Sequence, residues 1–250
     1  PFCALYATKG NNTQGFYKYT TTLDSWARLA DVPLGTTGKA VKGGTDLVIV
    51  TDEMAMPEFV YLLKGYKNEF WKYDIARDSW KPLPDAPLGA SGKNKYDKGS
   101  WLVWNGDTVA PMLYAHKAKY NELFAYDVTK DSWTKTLTGM PLVGSLGKKK
   151  KAKDGSAAAY WNGYIYSLKG GNTQEFWRYD VAKDSWKESE TIPAVGVAMK
   201  KKKVKAGGDL TIIATPGKGV PVDLPALKGG NTNEFWVYHM EDAFASVPQP

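Results

Sequence analysis

The chain has 250 residues, of which 43% are apolar, 24% charged and 13% aromatic, with a net charge of +7. That is enough chain to bury a core, and it excludes a wholly disordered polypeptide or a staple-dependent miniprotein. No apolar run approaches the roughly 18 residues of a spanning helix, so no transmembrane segment is expected.

Cysteine and histidine narrow the chemistry. Cys3 has no partner for an internal disulfide, and with only His116 and His239 no Cys/His zinc site can be assembled. No metal and no cofactor are expected. A cytosolic protein of this size usually keeps a few buried thiols, so the single cysteine points to an extracellular or cell-surface setting. The chain opens inside a repeating unit and without an initiator Met, which reads as a processed fragment of a longer, bacterial-type protein.

In chain order, Ala4 to Lys9 reads as a strand that runs into Lys9-Gly10-Asn11-Asn12-Thr13-Gln14-Gly15-Phe16-Tyr17-Lys18-Tyr19, followed by Asp24-Ser25-Trp26. The same passage returns at Lys64-Gly65-Tyr66-Lys67-Asn68-Glu69-Phe70-Trp71-Lys72-Tyr73 with Asp78-Ser79-Trp80. A shorter copy follows at Tyr120 to Asp127 with Asp131-Ser132-Trp133. The fourth copy is Lys169-Gly170-Gly171-Asn172-Thr173-Gln174-Glu175-Phe176-Trp177-Arg178-Tyr179 with Asp184-Ser185-Trp186. The fifth is Lys228-Gly229-Gly230-Asn231-Thr232-Asn233-Glu234-Phe235-Trp236-Val237-Tyr238, with only Asp242-Ala243-Phe244 after it. The tyrosines 19, 73, 126, 179 and 238 recur at 53–59 residues, and in four units a Trp follows its Tyr by seven.

Around these anchors the apolar pattern has period two, and helical periodicity is absent. Ser156 to Trp161 and Tyr164 to Lys169 read as strands joined at Asn162-Gly163, the chemistry of a tight hairpin. Each unit is therefore expected to be an antiparallel meander of four strands, a to d, with units at about 4–45, 46–99, 100–155, 156–208 and 209–250. Four-stranded units at this period predict an all-β propeller. With Gly170-Gly171 ending strand b, Tyr179 in strand c and Trp186 opening strand d, the unit resembles the kelch repeat. The resemblance covers residues 1–250 as a single propeller domain in four good copies and one weak one. The five repeats give five blades, the first or last incomplete, because only Asp46–Val50, Ser100–Trp104, Ser156–Trp161 and Asp209–Ala214 are strand-a candidates. A piece of a larger ring is the alternative.

In such a meander the b–c loops and the interblade d–a linkers share one face. About half of the lysines lie in those linkers, among them Lys39, Lys42, Lys93, Lys95, Lys149, Lys151, Lys201 and Lys203, and the b–c loops add Asn12, Asn172 and Asn231. These are the candidate binding residues. The Asn residues read equally as turn chemistry, and the lysines equally as solvated, flexible linkers. The other face receives Asp24, Asp78, Asp131 and Asp184 and is expected to be acidic.

The function expected is a non-catalytic extracellular propeller whose lysine-rich face binds an acidic polysaccharide or an acidic protein surface. Only Arg28, Arg77 and Arg178 are arginines, which argues against sequence-specific nucleic-acid binding. The alternative is a structural subunit assembling head-to-tail, basic face on acidic face. A weaker alternative is a carbohydrate-active enzyme using Asp46 and Asp209, although these read mainly as turn residues, and no catalytic residue is assigned. The copper oxidase chemistry of some kelch propellers needs more His ligands than the chain holds.

Overall fold

A computed structural model describes residues 4–196, 199–214 and 222–240. Cys3 and the degenerate anchor Asp242-Ala243-Phe244 lie outside the described residues. Within them the regular elements are all β-strands, and the chain divides into two compact units, Pro1–Met140 and Pro141–Pro250.

The first unit holds three antiparallel sheets. β1 (Ala4–Thr8), β2 (Phe16–Thr20) and β3 (Ser25–Arg28) form a sheet that has three strands among the described residues. β4 (Asp46–Thr51), β5 (Pro57–Leu63), β6 (Phe70–Asp74) and β7 (Ser79–Leu83) form a complete blade. So do β8 (Trp101–Trp104), β9 (Met112–Lys117), β10 (Glu122–Asp127) and β11 (Ser132–Leu137).

The second unit holds the fourth blade, β12 (Ala157–Trp161), β13 (Tyr164–Leu168), β14 (Phe176–Asp180) and β15 (Ser185–Glu188), and the fifth. Asn162 and Gly163 join β12 to β13 with φ of 45° and 83°, the left-handed pair that a tight hairpin turn requires. In the fifth blade the expected strand Asp209–Ala214 is split into β16 (Asp209–Leu210) and β17 (Ile213–Ala214), both paired with β18 (Val222–Leu227), which pairs in turn with β19 (Phe235–His239). The break falls opposite Pro225, where the register runs from Leu210↔Ala226 to Ile213↔Asp223. Proline has no N–H to donate to the ladder, so the inner strand loses a rung there.

The fixed spacing of Tyr, Asp and Trp has a local cause. The c–d turns place Asp24, Asp78, Asp131 and Asp184 at φ between 46° and 49°, a conformation that Asp tolerates better than most residues. Each accepts the hydroxyl of the Tyr five residues earlier, at 2.5 Å for Tyr19, 2.6 Å for Tyr73 and 3.2 Å for Tyr126, with Tyr179 bonded to Asp184 likewise. The turn brings Trp directly across from Tyr, as in Tyr73↔Trp80.

These rows build the junctions between blades within each unit. Phe16 meets Tyr73 and Trp80 with ring centroids at 4.9 and 5.0 Å, and Phe70 meets Tyr126 and Trp133 at 4.9 and 5.1 Å. In the second unit Phe176 meets Tyr238 at 5.2 Å. Such pairs contribute about 0.5–1.5 kcal/mol each beyond the area they bury. The indole N–H of Trp80 donates to Ala30 O and that of Trp133 to Pro84 O, so each Trp also fastens the preceding linker. Five such blades form a β-propeller fold.

Candidate functional site

The linkers are pinned, not loose. In the fourth, residues 189–208, Val204 is fully buried, donates its N–H to Thr173 O at 2.9 Å and accepts that of Asn172 at 3.0 Å. Lys202 N bonds Ala194 O and Lys205 N bonds Lys228 O. The first linker repeats this geometry: Val41 is buried and exchanges the same two bonds with Thr13 and Asn12. In the second, Tyr96 takes the place of valine and bonds Tyr66 and Lys67. One inward side chain anchors each of these linkers, and its neighbours are turned outward because side chains alternate along an extended chain. The reading of the linkers as flexible tethers does not fit this bonding.

In the second unit this arrangement produces a cleft of about 660 Å³ lined by Lys201, Lys202, Lys203 and Lys205, with Asn172 and Gln174 beside them. No carboxylate is among its lining residues, although the charge of half-buried Lys202 reaches the Glu234 carboxyl and helps to hold it below its ordinary value. The Gln174 amide is fixed by donation to Ile192 O at 3.0–3.1 Å, as Gln14 is to Val32 O in the first unit.

Each sequence-selected residue can now be placed. Lys201, Lys203 and Asn172 meet in the cleft. Lys149 and Lys151 are exposed on the third linker, with Gly171 packed close to Lys151 O. Lys39 is exposed and Lys42 half-buried beside the pinned Val41; Lys93 is exposed. Lys95 is already engaged, 3.3 Å from Asp97 and 4.1 Å from the Tyr66 ring centroid. Asn12, Asn172 and Asn231 are exposed at φ of 63°, 66° and 59°, and the threonine after each of them bonds back to a glycine carbonyl. Turn chemistry thus accounts for the Asn positions, and Asn172 alone of the three lines the cleft.

Cations stand beside several carboxylates of the other face. Beside the c–d turns Asp74 pairs with Arg77, Asp127 with Lys130 and Asp180 with Lys183, while Asp131 meets both Lys72 and Lys81. The Arg77 side-chain bond, helped by the Arg77 backbone, holds the Asp74 carboxyl below its ordinary value. Asp46 and Asp209 cap Leu47 N and Leu210 N, and Asp46 also accepts Leu102 N, as turn residues do.

A second set of lysines escaped the sequence reading. Lys64, Lys117, Lys169 and Lys228, at the ends of strands b, are completely buried. Each pairs with a glutamate at or just before the start of the next strand: Lys64–Glu69 at 2.9 Å, Lys117–Glu122 at 3.3 Å, and Lys169–Glu175 and Lys228–Glu234 at 2.6 Å. The ammonium groups also donate to linker carbonyls, Lys64 to Pro33 and Leu34, Lys228 to Pro193 and Ala194. Burial alone would raise the Glu69 carboxyl, but the bonds from Thr37 and Lys64 outweigh it and its pKa lies below the ordinary value. The constant spacing of five or six residues between Lys and Glu was the available signal.

Two further features are structural. A cleft of about 680 Å³ in the second unit is lined by Phe176, Ile192, Tyr238 and the backbone segment at Glu190. His116 is fully buried, stacked on Trp101 at 5.0 Å, and desolvation pushes its pKa down to about 3, with only weak opposition from the Gly99 backbone. Among the described residues no group of His, Cys, Asp and Glu is placed to hold a metal ion.

No protein-family model matches the chain, and no curated protein does. Its fold is similar to that of YjhT, a kelch-type propeller, with a TM-score of 0.54 and 13% identity over 90% of this chain and 69% of that one. At that identity the likeness concerns the fold alone. No helix among the described residues is long and apolar enough to cross a membrane.

Proposed function

We propose that the chain is a non-catalytic, kelch-type propeller that works outside the cell and binds an acidic polysaccharide through its linker lysines. The observation that carries this reading is the cleft in which Lys201, Lys202, Lys203 and Lys205 meet without a lining carboxylate. Like charges held on a pinned backbone repel one another, and a polyanion relieves that repulsion while its approach is steered by the same field. Arg28 and Arg77 are occupied by Asp31 and Asp74, and Arg178 lies over the Tyr164 ring, so no arginine fork serves the cleft. Lysine point charges with the Asn172 amide suit sulfate or carboxylate groups among hydroxyls better than planar, bidentate recognition.

Retention on heparin tests this. Replacing Lys201, Lys202, Lys203 and Lys205 together by Gln is expected to abolish retention, whereas Lys135, Lys183 and Lys187→Gln, exposed on the outer strands or c–d turns, weakens it slightly. Retention should fall steeply with salt, since screening shortens the interaction to about 8 Å near physiological ionic strength. Equal loss per lysine from both sets would reduce the linker lysines to a solubility feature.

A further inference from the structure

The third and fourth linkers, both in the second unit, are built alike. Val143↔Lys149 and Val195↔Lys201 form equivalent bridges, and Lys150 N and Lys202 N donate to Leu142 O and Ala194 O at 2.7 and 2.8 Å. Ala152 and Val204 then turn inward with no exposed surface. Because side chains alternate along an extended chain, the lysines on either side, Lys151 with Lys153 and Lys203 with Lys205, are exposed. The first two linkers lack this arrangement: Val41 stands between Ala40 and Lys42, and Tyr96 between Lys95 and Asp97, which pair with each other.

The two lysine stretches also adjoin. Gly171 donates its N–H to Asp154 O on the third linker, and a Cβ at this glycine would stand 2.9 Å from Lys151 O and 3.2 Å from Lys153 Cβ. The next residue, Asn172, donates to Val204 O on the fourth linker and lines the cleft. At Gly155 the linkers touch with no loop between them, since a side chain there would collide with Lys205 O. Lys153 precedes Gly155 by two residues, a span of at most about 7 Å, so it stands beside the cleft that Lys205 lines. Glu188 and Glu175 approach the start of the third linker at Gly144, but Ser145 N engages the first at 2.5 Å and Lys169 the second at 2.6 Å.

We infer that the two linkers form one basic track, which takes a linear sulfated or carboxylated polysaccharide long enough to lie on both and discriminates against a short anionic sugar. This rests on the reading of the cleft as a polyanion site. Once one stretch of the polymer occupies the cleft, its continuation is held beside Lys151 and Lys153 at high effective concentration, so the second engagement adds affinity at little further entropic cost.

Calorimetric titration of the intact chain with heparin disaccharide and heparin decasaccharide tests the inference. The decasaccharide should bind at least about tenfold more tightly. Replacing Lys149, Lys151 and Lys153 together by Gln, all three being exposed, should weaken the decasaccharide about tenfold and the disaccharide far less. Replacing Lys201, Lys203 and Lys205 by Gln should weaken both fragments. Equal affinity of the wild type for the two fragments overturns the track and leaves the cleft as a site for short anions. A decasaccharide loss in the third-linker variant no larger than that from Lys135, Lys183 and Lys187→Gln overturns it too. Binding of neither fragment would remove the cleft reading itself, and the track with it.

Discussion

Two populations of lysine sit a few ångströms of backbone apart and behave oppositely. Lys228, at the end of strand b, has no exposed surface, touches Glu234 at 2.6 Å and donates to two linker carbonyls; Lys201 and Lys203, on that same linker, face solvent beside other lysines. The first population ties each linker to the following blade, while the second uses that tie to hold its charges in place. A lysine at the end of a strand b is therefore a strut and a linker lysine a contact, and spacing to a glutamate does not decide it by itself, because exposed Lys183 also has Glu188 five residues on.

The largest effect that would break this contrast is at the struts. Lys64→Met leaves Glu69 buried without its partner and frees the Pro33 and Leu34 carbonyls. Urea unfolding is expected to show a loss of about 3–5 kcal/mol, much of it recovered by adding Glu69→Leu, because an unpaired buried charge costs more than an absent pair. If the single and double variants were equally unstable, the pair would be a packing element whose charge is irrelevant.

The next effect sharpens the contrast by way of a buried base that has no acid beside it. The pKa of His116 falls from 6.5 to about 3 on folding, so the neutral ring belongs to the folded state and the unfolded state binds the extra proton as pH drops. Its contribution is complete above pH 6.5 and declines below it. Between pH 7 and pH 5 the wild type should lose about 2 kcal/mol more than His116→Phe does. Identical pH profiles for the two proteins would show that His116 titrates normally.

The smallest effect is at the contacts. Lys149→Ala, exposed on the third linker, should leave stability within about 0.5 kcal/mol of wild type while lowering retention on heparin. A destabilisation comparable with that of Lys64→Met would mean that linker lysines are also struts.

Much of the architecture was legible without coordinates, because it depends on short-range chemistry. Period-two alternation, the Asn162-Gly163 hairpin and the Tyr–Asp–Trp spacing all act within ten residues, and the left-handed Asp with its Tyr hydroxyl explains why that spacing recurs. The break in the last inner strand was visible only as Pro225, whose effect depends on the register that sets it opposite Thr211. Of the candidate site, the linker lysines could be named but not sorted. That Lys95 is taken by Asp97 while Lys201 and Lys203 share a cleft follows from neighbours that sequence distance hides.

Sequence alone determined the strands, their order and the side of each blade on which every loop emerges, since each of these is decided by alternation and by turns a few residues long. Tertiary structure decided which charges are buried. Lys64 is enclosed by the carbonyls of Pro33 and Leu34, about thirty residues earlier in the chain. It becomes a strut only when the next blade folds back against that linker, because desolvation is a property of everything packed around a group and not of the residues beside it in sequence.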